Sequence, residues 1–189
     1  ELNPKYEDAY SNRGFAYINL KKYDKVVEDF SRAIEMNPNN AVYFNSRGYA
    51  LSNMKRYADA LADFDVAIRL DPKLADAFIN RGYVFLNTDQ FQFALQDFDS
   101  AIKLGSIKAN NYNARGYAFA NLKNYEEAIN DYSKAIELDS NFTDAYVNRG
   151  FSYFSKADKQ KALADWQKAV QKNPSLDNTL KQYMEKAKK

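Results

Sequence analysis

The sequence predicts an all-α fold built as a stack of repeats, and three observations carry that prediction. Gly14, Gly48, Gly82, Gly116 and Gly150 follow one another at a spacing of 34 residues. Pro4, Pro38, Pro72 and Pro174 fall on the same lattice, and Gly105 is the one glycine off it. Each period holds two helix-length segments whose apolar residues recur three and four apart, which places them on one helical face. Such self-similarity marks an array in which each unit buries its apolar face against its neighbours.

Counted from the first helical residue, the units are 7–40, 41–74, 75–108, 109–142 and 143–176. Positions are numbered 1 to 34 within each. In the first segment, position 4 is Tyr10, Phe44, Phe78, Tyr112 and Tyr146, and position 11 is Tyr17, Leu51, Phe85, Phe119 and Tyr153. The glycine at position 8 lies between them. A glycine inside a helix costs about 1 kcal/mol against alanine, so its recurrence predicts a close approach that leaves no room for a Cβ. The second segment carries Val26, Ala60, Ala94, Ala128 and Ala162 at position 20, then Phe30, Phe64, Phe98, Tyr132 and Trp166 at position 24. Position 27 is Ala33, Ala67, Ala101, Ala135 and Ala169. Proline at position 32 stops this segment. Where Ser106 and Ser140 replace it, Gly105 is expected to supply the stop in the third unit.

This pattern of aromatic, glycine, aromatic, alanine, aromatic, alanine and proline resembles the tetratricopeptide repeat, five times in register. The resemblance implies a right-handed superhelix of antiparallel helix pairs, with the first helix of each pair lining a concave groove for a protein or peptide.

Residues 1–6 match the end of a unit, so the chain is expected to begin inside an array. Toward the other end, Lys156, Lys159 and Lys172 stand at positions that are mostly apolar in earlier units, as in a terminal repeat that meets water. Residues 177–189 read as one more helix, with Leu180, Tyr183, Met184 and Ala187 on an apolar face, and this resembles the capping helix that closes such arrays. Residues 156–189 carry nine Lys and four acids against totals of 27 basic and 25 acidic residues, so a basic end of net +5 follows an array of net −3. A solvated cap is the preferred reading of that end; an acidic or nucleic-acid partner is the other.

Composition excludes several chemistries. There is no Cys and no His, which removes thiol nucleophiles, thiolate zinc sites and Ser-His-Asp triads. Neither a phosphate-binding glycine loop nor a ligand cluster is legible, so no enzyme activity, metal or cofactor is expected. No apolar run reaches the length of a membrane span, and no signal peptide is expected. A soluble cytoplasmic protein is the default expectation, with the compartment otherwise open.

Two sets of residues remain. Position 7 is Arg13, Arg47, Arg81, Arg115 and Arg149, matched one to one at position 23 by Asp29, Asp63, Asp97, Asp131 and Asp165. These read as structural ion pairs in preference to a cationic ladder for an acidic ligand. The second set lies on the face that the resemblance directs into the groove. Position 6 holds Asn12, Asn80 and Asn148, and where it lacks Asn the preceding position holds Asn45 and Asn113. Position 9 is Phe15, Tyr49, Tyr83, Tyr117 and Phe151, and position 13 includes Asn19, Asn53, Asn87 and Asn121. A carboxamide both donates and accepts, so a row of Asn can grip an extended main chain; rings add stiff apolar area.

The clamp by which some tetratricopeptide domains hold acidic chaperone tails needs Lys and Arg on this face. Here position 2 holds Asp8, Asp76 and Asp144. The expected partner is therefore a neutral or basic peptide segment. Self-assembly is the alternative function, and nucleic-acid binding trails because those Asp residues would repel phosphates.

Overall fold

The computed structural model describes residues 4–188, and no strand occurs among them. The helices are α1 (Pro4–Asn19), α2 (Tyr23–Met36), α3 (Ala41–Asn53), α4 (Tyr57–Leu70), α5 (Ala75–Asn87), α6 (Phe91–Lys103), α7 (Ala109–Asn121), α8 (Tyr125–Leu138), α9 (Thr143–Ser155), α10 (Lys159–Lys172) and α11 (Asp177–Ala187). A 3-10 turn, Pro174–Leu176, precedes α11. Residues 4–6 form the start of α1, ahead of the point where the repeat spacing begins it; residues 1–3 of the expected upstream tail lie outside the described residues.

The chain divides into two compact units. The first runs to Asp89 and includes Lys103–Gly105, and the second takes residues 90–102 and everything from Ser106 on. In the first, α1 to α5 pack in succession, α1 on α2, α2 on α3, α3 on α4 and α4 on α5, and α3 also touches α1 and α5. In the second, α7 to α11 pack in the same succession, and α7 touches α9. First helices of consecutive repeats are thus neighbours inside each unit, and their shared face is continuous there.

Rings fill the space beside the lattice glycines. In the first unit Phe30 and Phe64 are fully buried, among Val26, Ala33, Ala50 and Ala60. A Cβ on Gly14 or Gly48 would stand 2.8 Å from the ring of Phe30 or Phe64, nearer than real Cβ contacts come. In the second unit a Cβ on Gly116 or Gly150 would stand 2.9 Å from the ring of Tyr132 or 2.5 Å from that of Trp166. The glycine therefore makes room for an aromatic side chain of the partner helix, which keeps the rings at position 24 inside the core.

The arginines at position 7 hold the helices together through charged hydrogen bonds, and from the second repeat on they reach the preceding repeat as well. Nε and Nη2 of Arg13 donate to Asp29 at 2.9 and 2.6 Å, and those of Arg47 to Asp63 at 2.8 and 2.7 Å. In the second unit Arg115 and Arg149 hold Asp131 and Asp165 in the same fork, with all four bonds at 2.8 Å. The third nitrogen, Nη1, reaches the second helix of the preceding repeat. It donates from Arg47 to Ser31 at 3.1 Å, from Arg81 to Asp65 at 2.6 Å, from Arg115 to Asp99 at 3.1 Å and from Arg149 to Ser133 at 2.9 Å. Position 25 is thus a partner that the sequence pairing of positions 7 and 23 did not reveal. Each guanidinium also lies 5.5–5.8 Å from the ring centroid at position 4, a favourable cation–π distance.

The first helices end in a way that composition hid. Position 15 is in the left-handed region at Lys21, Lys55, Asp89, Lys123 and Ala157, with φ between 54° and 63°, although glycine is the usual residue there. The next amide closes the helix onto a carbonyl five residues back, as Lys22 to Tyr17 at 3.0 Å and Asp158 to Tyr153 at 2.9 Å. A Cβ in this region costs roughly 1 kcal/mol. Ala157→Gly is therefore expected to raise stability by up to about 1 kcal/mol in urea unfolding, and a loss of stability would contradict the strain. Second helices stop at Asn37, Asp71, Asp139 and Asn173, whose side-chain oxygens accept the amide two residues on at 2.9–3.4 Å. At the end of α6, Gly105 has φ 91°, and Ser106 N–H closes onto the Ala101 carbonyl at 3.0 Å, a glycine stop of the kind the sequence predicts.

At the C-terminal end, α11 covers α10. Leu180 and Ala187 are buried against Ala162, Trp166 and Ala169, with Leu163, Val170, Tyr183 and Met184 packed around them.

Candidate peptide-binding face

Helices α3 and α5 of the first unit place positions 6, 9 and 13 side by side. They line a depression of about 240 Å³ formed by Tyr49, Ser52, Asn53, Asn80, Tyr83 and Asn87. Helices α7 and α9 build the corresponding feature in the second unit, about 320 Å³, lined by Tyr117, Asn121, Asn148, Phe151 and Ser155 and backed by Tyr125 and Tyr132. Each unit thus carries its own copy.

Above each depression two carboxamides are joined. Asn80 Nδ2 donates to Asn45 Oδ1 at 3.0 Å, and Asn148 Nδ2 donates to Asn113 Oδ1 at 3.1 Å. The alternation of Asn between positions 6 and 5 in successive repeats is what allows the pairing: one helix supplies position 6, and its predecessor supplies position 5. An amide carries two N–H donors and two acceptor lone pairs, so each joined pair keeps donors and acceptors available to a ligand. Asn53 and Asn121 behave differently. Their Nδ2 atoms donate to the carbonyls of Tyr49 and Tyr117 one turn back, both at 2.9 Å, which leaves their oxygens outward. On α1, Asn12 and Asn19 are exposed, and Asn87 lines the first depression.

The rings at position 9 are the most exposed aromatics of the face: Phe15 39%, Tyr83 37% and Tyr117 45%. They are held edge-on from behind. Phe15 meets Phe30 at a centroid distance of 5.0 Å, Tyr49 meets Tyr23 at 6.3 Å, Tyr117 meets Phe91 at 6.4 Å, and Phe151 meets both Trp166 and Tyr183. The supporting residues Tyr23 and Phe91 stand at position 17, whose aromatic character in four units was the available signal. Desolvation raises the Tyr83 phenol above its ordinary value, and desolvation with Tyr49 nearby raises Tyr23, so both remain protonated donors at neutral pH. At position 2, Asp8, Asp76 and Asp144 are exposed and carry negative charge on the same helices.

Among the described residues no cluster of acids could hold a metal ion, and no helix is long and apolar enough to cross a membrane. The face can therefore offer carboxamides, phenols, rings and a few carboxylates, which suits recognition of an extended polar main chain.

Family models described as tetratricopeptide repeat match residues 7–40, 30–62 and 143–176, and one described as TPR repeat matches 116–156. Among curated proteins no sequence matches the chain. Several solved structures share the fold. A crystal structure of MamA protein is 22% identical with a TM-score of 0.81 over 93% of this chain and 96% of that one. MamA 41-end from Desulfovibrio magneticus RS-1 is 22% identical with a TM-score of 0.83, over 91% and 97%. YrrB, described as a TPR protein with an unusual peptide-binding site, is 24% identical with a TM-score of 0.80, over 94% and 90%. With the lattice of glycines and rings, these matches settle the family: the chain is an all-α solenoid of the tetratricopeptide-repeat family, with about five repeats and a C-terminal helix.

Proposed function

We propose that this scaffold binds extended peptide segments on the face formed by positions 6, 9 and 13 of its first helices, and that it does so without catalysis. The family supports a protein-interaction scaffold; the joined carboxamides above a ring-lined depression, present in each compact unit, carry the finer reading. Asn45 with Asn80, and Asn113 with Asn148, bind the ligand main chain, donating to its carbonyls and accepting from its amides. Tyr49, Tyr83, Tyr117 and Phe151 take apolar side chains. The exposed Asp8, Asp76 and Asp144 favour neutral or basic segments and disfavour acidic ones. The likeness to YrrB, itself described as having a peptide-binding site, is in keeping with this use.

The test is a peptide array probed with the protein and with a variant carrying Asn12→Ala, Asn80→Ala and Asn148→Ala together. Asn12 is exposed and Asn80 and Asn148 are half-buried, all three outside the apolar core, so the variant is expected to keep its helical circular dichroism. Loss of two paired carboxamides is expected to weaken the best peptide at least tenfold, about 1.4 kcal/mol. Unchanged binding by the folded variant would refute the role of the face.

A further inference from the structure

The ring at position 24 of each repeat is packed away from solvent, and one of the five carries a hydroxyl that the packing does not use. Phe30, Phe64 and Phe98 fill this position with hydrocarbon alone, and all three are fully buried. Trp166 bonds the Val147 carbonyl through Nε1. Tyr132 is 1% exposed, and its ring lies against Gly116 as Phe30 and Phe64 lie against Gly14 and Gly48. Its hydroxyl has no hydrogen-bond partner among the described residues. Every side-chain nitrogen or oxygen sealed inside those residues does have one. The Tyr132 hydroxyl is therefore not sealed: it opens on the depression of the second unit, which the residue lines with Tyr117, Tyr125, Asn148 and Phe151.

The corresponding depression of the first unit has no such floor. Phe64 is not part of its lining, and Ser52 and Asn87 stand where the second has Ala120 and Ser155. The smaller pair leaves the second depression larger, about 320 against 240 Å³, and uncovers the ring beneath.

A phenol oxygen held out of bulk water without a partner is costly, and phenylalanine at the same position in three repeats shows that packing does not call for it. Desolvation raises the Tyr132 phenol above its ordinary value, so at neutral pH it offers an O–H donor and an acceptor. The rings of Tyr117, Tyr125 and Phe151 wall the space, and no charged side chain lines it. Rings pack well edge-on or offset against such walls, whereas a charge would enter without a counter-charge. Walls and floor together fit an uncharged aromatic side chain that ends in a hydroxyl.

We propose that the second depression is a specificity pocket for a tyrosine of the bound segment, whose ring lies among Tyr117, Tyr125 and Phe151 and whose hydroxyl pairs with that of Tyr132. This rests on the reading that the face binds peptides, and adds which side chain one unit selects. Phenylalanine in its place would bury the Tyr132 hydroxyl unpaired, the circumstance in which a polar site discriminates most strongly.

The test is a double-mutant cycle on the full chain. The best peptide from the array is substituted position by position, and its tyrosine and phenylalanine forms are compared by calorimetry on the wild-type protein and on Tyr132→Phe. That variant installs the ring that three other repeats carry, so it is expected to keep its helical circular dichroism and to unfold at no lower temperature. One peptide position is expected at which tyrosine leads and phenylalanine binds at least tenfold more weakly, and the gap is expected to close in Tyr132→Phe. The absence of any such position, or a gap that persists in Tyr132→Phe, would overturn the pocket and leave the carboxamide reading standing. Failure of every peptide to bind the wild-type protein would overturn both.

Discussion

Asp131→Ala is expected to destabilise the protein by about 3–5 kcal/mol. The Asp131 side chain is 8% exposed and that of Arg115 18%, and the carboxylate accepts both Nε and Nη2 of Arg115. Removing it leaves Nε and Nη2 of a mostly buried guanidinium without their carboxylate, with only the half-exposed Asp99 still on Nη1. Hydrogen bonding to Asp131 already raises the arginine above its ordinary value, and arginine does not deprotonate to relieve the penalty. Asp99 is the contrasting site. From Arg115 it accepts Nη1, and its side chain is 43% exposed, so Asp99→Ala is expected to cost no more than about 1 kcal/mol. Arg115→Lys should recover little, because an ammonium lacks the fork. Urea unfolding followed by circular dichroism measures all three; a loss below about 1 kcal/mol for Asp131→Ala would mean that the forks do not hold the hairpins together.

Trp166→Ala is the other large effect, at about 3–5 kcal/mol. Trp166 is fully buried, bonds the Val147 carbonyl through Nε1 at 3.3 Å, and contacts the rings of Phe151, Phe154 and Tyr183. It therefore joins α9, α10 and α11 at one point. Its loss opens a cavity that the glycine at position 150 cannot fill, and α11, which rests on it, should lose hydrogen-exchange protection before α7 and α8 do. In an array held by neighbour contacts, damage stays near its source. Uniform loss of protection across α7 to α11 would contradict that.

Much of this architecture is legible in the residues because the repeat displays each contact several times. The glycine at position 8 and the ring at position 24 read as a close approach, and the structure adds that the ring itself occupies the missing Cβ. The pairing of positions 7 and 23 is arithmetic, and four pairs form the forks described above. Three features depend on geometry that one period does not display. Position 25 is Ser or Asp in the first four units and Gln167 in the fifth, so its link to the next repeat's arginine shows only when neighbouring helices are placed. Lys21, Lys55, Lys123 and Ala157 give no sign of a left-handed turn, because the closing hydrogen bonds impose it over the side chain's preference. The joining of Asn45 to Asn80 needs the first helices of consecutive repeats to be adjacent, which spacing within one helix does not establish.

The proposal that the carboxamides grip a ligand's main chain has a direct measurement. A peptide selected on the array is compared by calorimetry with an analogue N-methylated at successive amides, which removes main-chain donors and keeps every side chain. If Asn80 and Asn148 accept from the main chain, methylation at one or two positions weakens binding at least tenfold, and the loss disappears in the Asn80→Ala, Asn148→Ala background. Equal affinity for the methylated and unmethylated peptides at every position would show that side chains alone are recognised, and would contradict the role assigned to the paired asparagines.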